Sequence, residues 1–148
     1  MKKTKIALMM FFTVVLSGCS ILEGFTNTLG YADKATEYAN KVSTFVNEVP
    51  SLAEQATTDE QAAIELEEKL ENMKQDITEF NELEEPSVGA DLHQQVVEQN
   101  KQALKGIDAY LNNMEDGKLD SSVIENTEIF QALSDITNTI DQIKQLGG

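Results

Sequence analysis

The stretch Thr58-Asp59-Glu60-Gln61-Ala62-Ala63-Ile64-Glu65-Leu66-Glu67-Glu68-Lys69-Leu70-Glu71-Asn72-Met73-Lys74-Gln75-Asp76-Ile77-Thr78-Glu79-Phe80 sets the fold class. Ala62, Leu66, Leu70, Met73, Ile77 and Phe80 recur at steps of three and four, while acids and lysines fill the positions between them. That is the period of a helix with one buried face. Thr58 with Gln61 three residues later reads as a capping box that starts it.

Working outward, the same spacing recurs on both sides. Ala32, Thr36, Ala39, Val42, Val46 and Val49 predict a first helix from Leu29. Ser51 and Glu54 suggest a separate short helical turn over Ser51–Ala56. After Glu84-Glu85-Pro86-Ser87-Val88-Gly89, a third helix is expected from Ala90, burying Leu92, Val96, Asn100 or Ala103, Ile107, Tyr110 and Met114, with Gly117 as its stop. A fourth should open at a Ser122/Glu125 capping box and bury Ile129, Leu133, Ile136, Ile140 and Ile143, ending at Gly147-Gly148. Both prolines, Pro50 and Pro86, are expected between helices, because a proline removes a backbone donor. No strand pattern competes. Short connections favour antiparallel neighbours, so the expected architecture is all-α, an antiparallel up-down four-helix bundle. A three-helix bundle plus a separate N-terminal helix is the alternative.

The N-terminus reads differently. Lys2, Lys3 and Lys5 precede an apolar run from Ile6 to Leu16. A spanning helix needs about 20 apolar residues, so the run is too short to span, and its order, charge before hydrophobe, is that of a cleaved secretory signal. It ends in Leu16-Ser17-Gly18-Cys19, which resembles the lipobox of bacterial lipoprotein precursors. The resemblance implies cleavage between Gly18 and Cys19, a diacylglyceryl group on the Cys19 sulfur, and palmitate-type acyl chains holding the protein to the bilayer. Each buried methylene contributes about 0.8 kcal/mol, and two chains hold far better than one. The division expected is 1–18 signal peptide, 19–30 lipidated Cys and tether, and 31–148 a single helical domain. Gly24 and Gly30 weaken helix propensity in the tether.

Three further stretches, Tyr31-Ala32-Asp33-Lys34-Ala35-Thr36-Glu37-Tyr38, Phe80-Asn81-Glu82-Leu83-Glu84 and Asp91-Leu92-His93-Gln94-Gln95, resemble a family of small uncharacterised lipoproteins of Bacillus-type bacteria. The likeness implies a helical protein on the extracytoplasmic face of the cell membrane. It carries over no catalytic or binding residue.

Charge and composition narrow the chemistry. The 148 residues hold 26 Asp and Glu against 11 Lys and Arg, all of them Lys, a formal charge of −15. Losing residues 1–18 removes three lysines and no acid, leaving −18. A nucleic-acid partner is excluded by electrostatics; attachment falls to the lipid rather than to adsorption on anionic headgroups. Cys19 is the only Cys and His93 the only His, so neither a disulfide within the chain nor a zinc site of three or four such ligands can be assembled. His93 is expected as a surface or capping residue. Asn112, Asp116, Gly117 and Asp120 fail as a calcium loop, with Met114 at a ligand position and Val123 in place of the bidentate Glu. No nucleophile elbow occurs, and no cofactor or catalytic residue is assigned.

The acids Glu65, Glu67, Glu68, Glu71, Glu79, Glu82, Glu84 and Glu85 form the densest charged stretch. Helical pairs Glu65–Lys69, Glu71–Lys74 and Glu37–Lys41 are expected to offset part of it; the remainder suits a basic envelope protein as partner. Two functions fit: a non-catalytic helical interaction or scaffold module, or a binding protein for a small apolar or cationic ligand held between helices. Gly106 discriminates between them. A cavity beside it favours the ligand, and a filled core favours the module.

Overall fold

A computed structural model describes the backbone of residues 19–125 and 128–146, with side chains from residue 30 onward. Four helices, α1 (Cys19–Ala56), α2 (Glu60–Asn81), α3 (Ala90–Asn112) and α4 (Glu128–Leu146), make up nearly all of it. Each packs on its neighbours in chain order, and α1 closes the ring against α4. The bundle is therefore the up-down four-helix form, and α1 is an integral wall of it.

The α2 stripe is read correctly by its period: Ala62, Leu66, Leu70, Met73, Ile77 and Phe80 are all buried. So are Ile129, Leu133, Ile136, Ile140 and Ile143 on α4. The start of α2 differs from expectation by one residue. Asp59, not Thr58, is the N-cap, its carboxylate accepting from the Ala62 backbone N–H at 2.8 Å. Thr58 donates its hydroxyl back to the Gln55 carbonyl and so belongs to the preceding turn.

The α1 face is rotated from the one expected. Ala32, Thr36 and Val46 are only half-buried, whereas Tyr31, Ala35, Tyr38, Ala39, Val42, Phe45 and Val49 enter the core. Pro50 lies inside α1 rather than after it, and Ser51–Ala56 continues the same helix. A proline in a helix interior costs about 3 kcal/mol. Here Pro50 is on the exposed side of the helix. Burial of Val49, Leu52, Ala53 and Ala56 around it offsets the cost, since a fully buried Val or Leu contributes about 1.5–3 kcal/mol. In the other direction α1 runs back without a break to Cys19, so the 19–30 tether stretch is helical. At about 1.5 Å per residue it carries Cys19 about 16 Å beyond Gly30.

The link from α3 to α4 holds what the periodicity missed. Met114–Glu115 and Lys118–Leu119 pair as two short antiparallel strands, β1 and β2. Asp116 at φ 51° and Gly117 at φ 74° form the turn between them, and an Asp-Gly pair with both residues left-handed is a preferred hairpin turn. Met114 thus leaves the α3 stripe for a strand. A short 3-10 helix, Ser121–Glu125, follows, and α4 begins at Glu128, after the expected Ser122 start. Leu119 and Val123 are buried from this segment, against α1 and α2, and plug the end of the bundle remote from Cys19.

Candidate functional site

Three kinds of location were marked by the sequence: the lipidation residue, the lone histidine with its neighbours, and the glycine that separates packed core from cavity. Leu16, Ser17 and Gly18 lie outside the described residues. Cys19 is the first described residue and lies in α1.

The stretches Tyr31–Tyr38, Phe80–Glu84 and Asp91–Gln95 meet at one end of the bundle. Tyr31 and Tyr38 are two turns apart on α1, as are His93 and Asn100 on α3, so each pair projects from one face. His93 is buried, at 3% exposure, and is neither a surface nor a capping residue. Its Nδ1 and the Tyr31 hydroxyl hydrogen-bond at 2.7 Å, the hydroxyl donating when the ring carries its proton on Nε2. The Tyr38 hydroxyl donates to Asn100 Oδ1 at 2.5 Å, and Asn100 Nδ2 donates to Asn81 Oδ1 at 2.7 Å. Phe80 sits between the two tyrosines and the histidine, stacked on Tyr38 with ring centroids 4.6 Å apart and on His93 at 5.5 Å.

Burial pushes the Tyr31 and Tyr38 phenols above their ordinary value of 10, still further from the physiological range. It also holds His93 below its usual value, with Glu85 pulling weakly the other way. Each of these groups is therefore neutral at pH 7, and each has a partner. The cluster is a satisfied polar network that ties α1, α2 and α3 in one register; a fully paired network of this kind specifies packing. The missed signal was the α3 phase: 93, 96, 100, 103, 107 and 110 form an unbroken three-four series, and Leu92, chosen in place of His93, is half-buried.

At Gly106 the core is filled. A β-carbon built there would lie 2.6 Å from Ile129 Cβ, so α3 and α4 touch through this glycine and no ligand-sized space separates them. Outside the contact a solvent-open cleft is lined by Gly106 itself together with Gln102, Lys105, Ala132 and Asp135.

Ion pairs among the described residues both join helices and lie along single ones, as in Lys101–Glu98 and Lys144–Asp141. Lys69 reaches Glu48 on α1 at 2.8 Å, in place of the expected Glu65. Lys74 reaches Asp108 on α3 at 2.7 Å, in place of Glu71. Lys41 keeps Glu37 at 3.9 Å but sits closer to Asp76 on α2, at 2.7 Å. An exposed lysine stem is long enough to cross a helix seam, where the geometry of the bundle offers a carboxylate nearer than the one a turn away. Glu65, Glu67, Glu68 and Glu71 are exposed and make no ion pair among the described residues.

Three clefts adjoin along the α1–α2 seam. The one at the His93 end includes Tyr31, Lys34 and Leu83; the next shares Lys34 and Leu83 with it and adds Tyr38 and Phe80; the third shares Glu37, Lys41 and Asp76 with the second and adds Phe45 and Met73. Among the described residues no three of His, Cys, Asp and Glu are placed to hold a metal ion, and no helix is long and apolar enough to cross a membrane.

A family of unknown function, DUF6376, matches residues 31–146. The uncharacterised lipoprotein YybP of Bacillus subtilis (strain 168) is 35% identical over 130 residues, which cover 88% of either chain. No solved structure matches.

Proposed function

Because the chain belongs to the DUF6376 family, in which no enzymatic activity is indicated, we propose that it is a lipid-anchored, non-catalytic helical interaction module of the cell envelope. Cys19 is the attachment point, freed by cleavage after Gly18, and the bundle is displayed on the extracytoplasmic face of the cell membrane. Support for the anchor comes from the Leu16-Ser17-Gly18-Cys19 lipobox and from a relative described as a lipoprotein.

The observation that carries the reading is the continuity of α1. From Cys19, the first described residue, it runs 38 residues into the core without a break, about 57 Å of helix. A lipid on Cys19 would then be joined to the bundle by a stiff stalk, holding an acidic body off a membrane whose anionic headgroups repel it. On its core side Gly106 is in contact with Ile129, and the cleft it borders is open to solvent, which supports an outward-facing role over a ligand enclosed between helices.

The test is Cys19→Ala in cells fed labelled palmitate. Wild type should take up label and fractionate with membranes. The variant should take up none and accumulate as uncleaved precursor. Label persisting in the variant overturns the anchor, and with it the reading.

A further inference from the structure

We infer that the stretch of α1 nearest Cys19 lies in the interface of the bilayer, with Ile21, Leu22, Phe25 and Leu29 forming the face that meets the lipid. The inference rests on the lipid-anchor reading above and adds a second contact with the same membrane.

α1 is one unbroken helix from Cys19 to Ala56, so its positions can be assigned to faces by the 3.6-residue turn. In the bundle its core face is Tyr31, Ala35, Tyr38, Val42, Phe45 and Val49. Carried back toward Cys19, that face passes through Thr28, Asn27, Gly24 and Ser20, none with an apolar side chain. Ile21, Leu22, Phe25 and Leu29 instead share a face of their own, turned by about 130° from the core face at 100° per residue. An apolar stripe marks the side of a helix that is covered, so a stripe that changes direction at the edge of the bundle has a second surface to meet.

That surface lies beyond the bundle. Tyr31 is level with the last turn of α2 and the first turn of α3, through its contacts with Phe80 and His93. Toward Cys19, α1 continues past the ends of both helices, and a β-carbon built on Gly30 would meet nothing within 4 Å. Ile21 stands two residues from Cys19, and Ile21 to Leu29 covers about 12 Å, so a lipid on Cys19 would hold the stripe against the bilayer.

Charge points to the same occupant. The sole charged residue between Cys19 and Ala32 is Glu23, on the side of the helix opposite the stripe. All the other acids of the chain follow from Asp33 onward. A helical stretch with one apolar face and almost no charge suits the boundary between headgroups and acyl chains, where such a face sinks by about 5–10 Å. The adjoining end of the bundle is partly apolar as well. Val88 and Leu146, two of the three exposed large hydrophobic residues among those described, meet there, with Leu146 Cδ1 3.1 Å from where a β-carbon on Gly89 would stand. Glu84 and Glu85, exposed in the same loop, set the depth: carboxylates are costly to desolvate, so the stripe enters and the bundle stays in water.

The chain has no tryptophan, so a single introduced one reports its own surroundings. Phe25→Trp puts it in the stripe and Asn27→Trp on the other side of the helix, about 160° away. Each full lipidated chain is reconstituted in vesicles of phosphatidylcholine brominated on its acyl chains. Incorporation into the vesicles itself reports the anchor, so a failed anchor and a failed stripe are distinguishable. Quenching is expected to be at least about threefold stronger for Phe25→Trp than for Asn27→Trp, because the bromines lie below the headgroups on the stripe's side. Adding Ile21→Ser, Leu22→Ser and Leu29→Ser to the Phe25→Trp chain should lower its quenching to that of Asn27→Trp. The inference is overturned if the two single variants are quenched equally, or if the three serine changes leave quenching as it was. It is also overturned if the tryptophan of Phe25→Trp is shielded from acrylamide yet unquenched by the brominated lipid, which would mean that a second copy or another protein covers the stripe.

Discussion

Replacing Gly106 by Ala tests the tightest contact in the bundle. In an open helix the change would stabilise by about 1 kcal/mol, because Ala has the better helix propensity. Here the added β-carbon would stand 2.6 Å from Ile129 Cβ, 3.1 Å from its Cγ1 and 3.3 Å from its Cα. Ordinary carbon contacts lie near 3.5–4.0 Å, so α4 must retreat by about 1 Å. Inserted methyl groups in packed cores cost about 1–3 kcal/mol, and the retreat also loosens Ile107 and Leu133, both fully buried. Net destabilisation of about 1–2 kcal/mol is expected, a fall in Tm of about 3–8 °C for a chain of this size. Urea unfolding followed by far-UV circular dichroism reads it. Ile129→Ala should not rescue the variant, because alanine keeps the β-carbon that makes the closest contact. A Gly106→Ala protein that is as stable as wild type, or more so, would refute close packing at this point and reopen a ligand space between α3 and α4.

Two further outcomes follow from local geometry. Asp59→Ala should cost about 1 kcal/mol by removing the bond to the Ala62 N–H, whereas Thr58→Ala should cost less than about 0.5 kcal/mol; equal losses in urea midpoint would contradict the cap assignment. Burial holds His93 in the folded state below its usual 6.5, so as pH falls through that value the unfolded chain binds the proton first. Stability from the neutral ring is present above about pH 6.5 and is lost on acidification toward the folded value. His93→Gln should flatten the change in urea midpoint between about pH 7 and 5.5, and an unaltered slope would remove His93 as its source.

The sequence made α2 and α4 legible because their apolar residues are confined to one stripe and are aliphatic or plainly large. On α1 two stripes compete: Ala32, Thr36 and Val46 form one period, Tyr31, Ala35, Tyr38 and Phe45 another. Tyrosines read as amphipathic from sequence, yet at Tyr31 and Tyr38 the hydroxyls find partners on α3 and the rings can be buried whole. His93 and Asn100 are the same case seen from the other side. Each becomes a core residue only because a partner two helices away in sequence satisfies it, which no local pattern contains. Pro50 was misplaced for a related reason, since local propensity ends a helix there and tertiary burial of the next turn continues it. The hairpin at Asp116-Gly117 did carry its own signal, but the flanking strands are two residues each, too short for alternation to register. The α1–α2 clefts arise from lysines and acids on different helices and were visible only once the helices were placed.

Cys19 is proposed as the start and the lipid anchor of the mature protein. The most direct measurement is the intact mass of the chain extracted from membranes, with its N-terminal peptide sequenced. A chain beginning at Cys19, with a diacylglyceryl thioether on its sulfur, is predicted. A chain that retains Met1 to Gly18, or one that carries a free Cys19 thiol, would contradict it.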